Sequence, residues 1–133
     1  MSDLPCICVA VRKASRRLTA VYDEALAPQG INLAQFSLLK NIKKHGPLSL
    51  TRLGEIVELD RSTLGRNVRV LERMGLVTLA PGADQREASV TLSADGLSTL
   101  ARSLPLWENV QADIHSKIGA QGAAQLEALL GAL

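Results

Sequence analysis

Aromatic side chains are almost absent from this chain, with one Phe, one Tyr and one Trp in 133 residues. Proteins that hold single-stranded nucleic acid need several aromatic platforms on which bases stack, so that class is disfavoured. Cysteine is nearly as scarce: Cys6 and Cys8 stand alone, too few for the disulfide framework of a small secreted domain, and both are expected as reduced thiols at rest. No apolar run approaches the ~20 residues that cross a bilayer, and the opening Met1-Ser2-Asp3-Leu4-Pro5 lacks the basic start of a signal peptide. No membrane partner is therefore expected, and the expected compartment is the cytoplasm. Histidine occurs at His45 and His115 only, neither spaced with a nucleophile or a carboxylate pair, and no glycine-rich loop is present to cradle phosphate. The chain does not read as an enzyme, and no cofactor is expected. An excess of one charge is missing too. A net charge of +2 is too small for a protein that coats DNA indiscriminately, so any affinity for DNA must come from where the charges sit.

What is present reads as one soluble domain over residues 1–133, 47% hydrophobic and 21% charged, large enough to bury a core. Ten of its fifteen basic residues are Arg, whose planar fork suits phosphate or guanine. From Ile7, apolar residues recur at Val11, Ala14, Leu18, Val21 and Ala25, the seam of a long amphipathic helix that should stop near Pro28-Gln29-Gly30. Its other side carries Arg12, Lys13, Arg16 and Arg17, a solvated face or an anion-facing one.

Asn32 with Gln35 can form a capping box for a second helix running to His45-Gly46-Pro47. Ser49 is placed to cap a short third helix with Leu50, Leu53 and Ile56 inward, and Asp60 a fourth with Leu64, Val68, Leu71 and Met74 inward, stopped by Gly75. Two short strands, Leu76 to Ala80 and Glu87 to Leu92, should flank a Pro81-Gly82-Ala83-Asp84 turn. Ser93 caps a fifth helix through Leu97, Leu100 and Leu104, with a kink or break expected at Pro105 and a last helix at about Ala120 to Leu133. The fold class expected is mainly α with a small β-wing: a winged helix-turn-helix core at about 32–92, and dimerisation helices at about 6–28 and 94–133. The long apolar seams at the two ends could fold together across a two-fold axis.

The fourth helix carries the functional signal. At about 100° per residue, Ser62, Arg66, Arg69 and Arg73 fall opposite Leu64, Val68 and Leu71, so one face is core and the other is Arg. Arg61, Ser62 and Thr63 occupy its first turn, where free amides and the helix dipole attract phosphate. Arg86 sits near the predicted hairpin tip, two residues after Asp84; an Arg there can enter the narrow minor groove while the carboxylate holds it extended. Each residue taken alone could be a solvated surface group. Together they have the layout of a domain that grips duplex DNA.

On Asp60-Arg61-Ser62-Thr63-Leu64, on Leu71-Glu72-Arg73-Met74-Gly75-Leu76-Val77, and on Asp84-Gln85-Arg86 through Leu92-Ser93 and Gly96, the chain resembles the MarR family of winged-helix transcriptional regulators. That resemblance implies an obligate homodimer that binds a short palindrome, often as a repressor, and lets go when a small ligand or an oxidant shifts the spacing of its recognition helices. Glu87 and Ala88 stand where many relatives carry further basic residues, which implies a weaker grip by the wing. The resemblance also implies a ligand cleft between the dimer helices and the winged domain, for which Arg16, Arg17, Tyr22 and Trp107 are the candidate lining residues; a cationic pocket suits a carboxylated aromatic or a fatty acid. Cys6 and Cys8 are sensor candidates, since a thiol in a first helical turn gains thiolate character. Two helical positions two apart point about 200° apart, so an internal disulfide needs that turn to fray. Cys-x-Cys without a nearby His offers a metal too few ligands, and small buried hydrophobes remain the plainer reading of both. The rival function is a winged helix used as a protein-interaction module, which would present apolar or acidic residues where this chain has Arg66, Arg69 and Arg86.

Overall fold

The computed structural model describes residues 3–81 and 88–133. Helix α1 spans Ile7–Leu26 and runs through a single 3-10 turn, Ala27–Gln29, to Gly30 in the left-handed region. Helices α2 (Leu33–His45), α3 (Leu50–Val57) and α4 (Arg61–Arg73) follow, then strands β2 (Val77–Pro81) and β3 (Ala88–Leu92) and the long helix α5 (Ala94–Gly131). The four capping residues act as their positions require. Asn32 and Gln35 exchange side-chain and backbone bonds of 2.9 and 3.0 Å, Ser49 accepts from the Arg52 amide at 3.0 Å, Asp60 from Thr63 at 2.6 Å, and Ser93 from Gly96 at 3.0 Å. Each satisfies an amide that the first helical turn leaves without a partner.

These caps fix where the apolar stripes begin, and the stripes converge on one core. Phe36, Leu39 and Ile42 of α2, Leu53 of α3, Leu64, Val68 and Leu71 of α4 and Val90 of β3 are almost wholly buried, with Leu26 and Leu100 closing the core from the two flanking helices. Burial of side chains this size is worth about 2 kcal/mol each. A two-residue strand β1, Leu48–Ser49, pairs with Val90 and Ser89, so the sheet is three-stranded and antiparallel, in the order β1-β3-β2. The sequence pattern predicts only the hairpin, because two residues carry no periodicity to read.

Two further expectations are corrected. Helix α5 does not break at Pro105, which stays inside a helical run; the non-helical backbone lies at Gly119, with φ 74° and ψ 162°, a conformation open to glycine alone. Pro105 and Ala101, whose carbonyl loses its amide partner, are both exposed, so water can take the bond. Met74 is not a core residue. It caps α4 at 40% exposure while Gly75 turns the chain left-handed, and Gln35 Nε2 donates to its sulfur at 3.7 Å. The apolar seam of α1 is not buried within the protomer: Ile7 is 75% exposed, and Val11, Leu18 and Val21 are exposed as well. Leu97 and Leu104 of α5 share that condition, whereas Leu100 between them is buried.

The flanking helices are nonetheless tied to the centre. Asp23 of α1 accepts from the Leu33 amide that opens α2, at 2.8 Å, and Arg102 of α5 donates to Gln29 at 2.9 Å. At the N-terminus of α5 the approach is closer still. The Ser93 hydroxyl donates to the Gly75 carbonyl at 2.6 Å, and its amide donates to the Leu76 carbonyl at 3.0 Å. One turn on, a Cβ at Gly96 would stand 1.9 Å from that same Leu76 oxygen. Backbone meets backbone there, and no side chain can swing aside. Gly96→Ala should therefore destabilise the fold by about 3 kcal/mol, the upper end for overpacking; urea denaturation measures it, and an unchanged midpoint would show the contact to be loose.

Candidate nucleic-acid interface

Helices α3 and α4 meet across Glu58, Leu59 and Asp60. Glu58 is the one non-glycine residue with positive φ (54°) among those described, and its left-handed turn lets the Leu59 amide close on Gly54 at 3.1 Å. Gly54 allows α4 to come near, since a Cβ there would meet the Leu59 oxygen at 3.2 Å and Leu64 Cδ2 at 3.3 Å. Asp60 then starts α4. The Thr63 backbone bond, the Thr63 side-chain bond and the nearby Arg66 charge hold its carboxyl below the ordinary carboxylate range.

The turn of α4 that begins here presents the residues expected of it. Ser62, Arg66, Arg69 and Arg73 are exposed, Thr63 is half-buried, and the opposite face is buried at Leu64, Val68 and Leu71. Among the described residues the one ion pair joins Arg52 to Glu55, at 3.1 Å, so Arg66, Arg69 and Arg73 keep their charge toward solvent. Arg61 differs from its expected place. Its guanidinium leans back over α3 and donates to Thr51 Oγ1 at 2.8 Å. Asp84 and Arg86, the expected wing residues, lie outside the described residues; strands β2 and β3 run to either side of them, paired through Pro81 and Ala88.

A three-stranded sheet against three short helices, with a long helix on each flank, is a winged helix-turn-helix. The family model described as "MarR family" matches residues 29–87. The structure of the M. tuberculosis transcriptional regulator MosR in complex with DNA superposes with a TM-score of 0.86 at 36% identity, covering 96% of this chain and 94% of that one. The chain belongs to the MarR family. Membership assigns it to a family of transcriptional regulators, not of enzymes. Among the curated relatives, the HTH-type transcriptional repressor NicR of Pseudomonas putida is 30% identical over 96 residues, 71% of this chain and 61% of that protein. The organic hydroperoxide resistance transcriptional regulator of Bacillus subtilis is 29% identical over 91 residues, 68% and 62%. The matched region thus spans about three fifths of the length of these two curated relatives.

The remaining MarR-type candidates do not gather in one place. Tyr22 donates to Gln111 Oε1, burial pushes its phenol pKa up, and it lines a cleft of about 450 Å³ between α1 and α5 with His115 and Glu127. Trp107 lies elsewhere, stacked on Phe36 with ring centres 5.7 Å apart, in a cleft of about 350 Å³ between α2 and α5. Arg16 and Arg17 are exposed and line neither cleft. The cation at Trp107 is Lys40, whose Nζ stands 4.1 Å from the ring centre; Lys44 shares that cleft, and Lys43 joins both in the next. These lysines have a legible signal, spacings of three and four along one face of α2, that sequence reasoning passed over. Thr51 had none. Cys6 and Cys8 are free and exposed, not buried in the protomer, and Cys6 is the extended N-cap of α1, just outside the first turn. The angular separation that helical geometry imposes on two such thiols therefore does not bind Cys6. Among the described residues no group of three or more His, Cys, Asp or Glu could hold a metal ion, and no helix is long and apolar enough to cross a membrane.

Proposed function

We propose that the protein is a transcriptional regulator that binds a palindromic site in double-stranded DNA as a homodimer, acting as a repressor, with α4 in the major groove. One observation carries this reading: a helix buried at Leu64, Val68 and Leu71 holds Ser62, Arg66, Arg69 and Arg73 outward, and among the described residues no carboxylate forms an ion pair with these arginines. The first-turn residues Arg61, Ser62 and Thr63 would meet phosphate, and Arg86, extended by Asp84, would enter the neighbouring minor groove. Support for the dimer comes from the seams left open at Ile7, Val11, Leu18 and Val21 of α1 and at Leu126, Leu129, Leu130 and Leu133 near the C-terminus. That much apolar surface marks an interface. A protein-interaction module is the weaker reading, because four exposed cations and no apolar patch on α4 suit phosphate better than a protein groove.

Release would come from either of two inputs. A small amphipathic anion suits the α2–α5 cleft, where Trp107, Leu33 and Phe36 give an apolar wall beneath Lys40 and Lys44; Arg16, Arg17 and Tyr22 would then belong to the dimer side of α1 rather than to that cleft. An oxidant would act at Cys6 and Cys8, exposed at the start of α1, and kinship with a regulator named for organic hydroperoxide resistance supports that input.

Three measurements test these readings. Arg66→Ala and Arg69→Ala should each weaken binding to genomic fragments selected by the wild type by about tenfold or more, with unchanged melting temperature, and wild-type affinity should fall steeply with salt through counterion release. Binding indifferent to salt, or wild-type affinity in both variants, would sink the contact map and leave the interaction module. Peroxide should release the wild type but not a Cys6→Ser, Cys8→Ser variant; equal sensitivity in both removes the thiols from the scheme. Decanoate should alter the fluorescence of the sole tryptophan, Trp107, by drawing Lys40 off the indole, and decanol should not; identical responses to the two would refute an anion site.

A further inference from the structure

One arginine, Arg61, borders the cleft between α3 and α4, and its surroundings differ from those of Arg52 on α3. Arg52 is neutralised by Glu55, Nη1 to Oε2 at 3.1 Å. Arg61 reaches from the first turn of α4 across the seam and donates to Thr51 Oγ1 at 2.8 Å. A hydroxyl orients a guanidinium without discharging it. Of five N–H donors on an Arg, the four not given to Thr51 remain for another acceptor, and the Thr51 hydroxyl, having accepted, still has its own proton to give. Both side chains are exposed. They flank a cleft of about 290 Å³, and the close approach permitted by Gly54 fixes the distance between the helices that carry them. Glu55 lines the same cleft, and the ion pair it makes among the described residues is with Arg52, through Oε2.

We infer that Thr51 is a positioning residue for the DNA backbone: it holds Arg61 across the α3–α4 seam so that hydroxyl and guanidinium meet one phosphate together. The role rests on the DNA-binding reading above and adds to it a residue of α3. A phosphate contact carries no base information, so the pair governs affinity and the geometry of docking, and Arg61 sits apart from Arg66 and Arg69, which face the groove.

Because the contact is blind to sequence, the probe is a fluorescein-labelled duplex of arbitrary sequence, about 30 base pairs or roughly three turns long, titrated by anisotropy at several salt concentrations. Thr51→Val and Arg61→Ala should each weaken binding about tenfold or more, the scale of one charge-assisted hydrogen bond, and Thr51→Ser should restore wild-type affinity. The double variant should bind within about twofold of Arg61→Ala alone, because the two residues act as a unit. The slope of log affinity against log salt should shrink by about 1 in Arg61→Ala and in Thr51→Val alike. Losses that multiply in the double variant overturn the proposal. So does a Thr51→Val that lowers the melting temperature of the free protein yet keeps the full salt slope, since that assigns Thr51 to helix packing. A wild type that ignores both this duplex and selected genomic fragments refutes DNA binding and this role with it, whereas a wild type that binds beside an unaffected Thr51→Val refutes only the role of Thr51.

Discussion

The Leu76 carbonyl is the point on which the rest of the structure turns. It receives the Ser93 amide at 3.0 Å, and the missing side chain of Gly96 lets the first turn of α5 press against it. Ser93 adds its hydroxyl to the Gly75 carbonyl, so the left-handed stop of α4, the start of β2 and the cap of α5 form one knot of backbone. Close-packed backbone does not yield by degrees. A rotation of α5 must therefore carry the C-terminus of α4 and the base of the wing with it. The bond from the Leu33 amide to Asp23 does the corresponding work between α1 and α2. The domain is a rigid centre gripped at two places by the helices that flank it.

Within that centre, burial and charge divide α4 cleanly. A net charge of +2 gives the molecule no general attraction to a polyanion, but a helix whose apolar side is locked at Leu64, Val68 and Leu71 must turn its arginines outward. The packing supplies the orientation, and among the described residues no carboxylate forms an ion pair with these arginines. Arg52 shows the alternative: three residues from a glutamate it becomes half of an exposed ion pair, of small consequence for stability and discounted as a contact for phosphate.

Much of this was legible in the sequence because it depends on local rules. Asn32, Ser49, Asp60 and Ser93 were readable as caps since each precedes an apolar stripe at the right step, and Gly75 as a left-handed stop since it follows one. What stayed hidden depends on distant partners. Strand β1 exists only because β3 lies beside it. Pro105 looked like the break in α5, yet an exposed proline can surrender its bond to water, and the chain bends instead at Gly119, where backbone freedom decides. The last helix nevertheless begins near Ala120, as its own leucine pattern requires. Met74 fits the periodicity of α4 but falls after the final turn, where the stripe no longer faces the core. Tyr22 and Trp107 looked like one pocket because residue types were matched without distances, and Lys40 was overlooked because a lysine pattern on a surface helix usually means solvation.

The two clefts and the unburied seams have a joint consequence. One cleft lies between α1 and α5, the other between α2 and α5, so the long helix is the shared wall of both. If the open faces of α1 and the C-terminal helix close against a second copy, the near end of α5 is fixed by the partner and the far end by the knot at Leu76. A ligand that wedges the α2–α5 cleft then has little to displace except the angle between the two anchors, and that angle sets how far apart two copies of α4 stand. Only a differential fit to two such angles lets a ligand bias the pair, and the lever is long: from Ala94 to the bend at Gly119, α5 extends about 1.5 Å per residue. Over that length a small change of angle at one end would become a large displacement at the other.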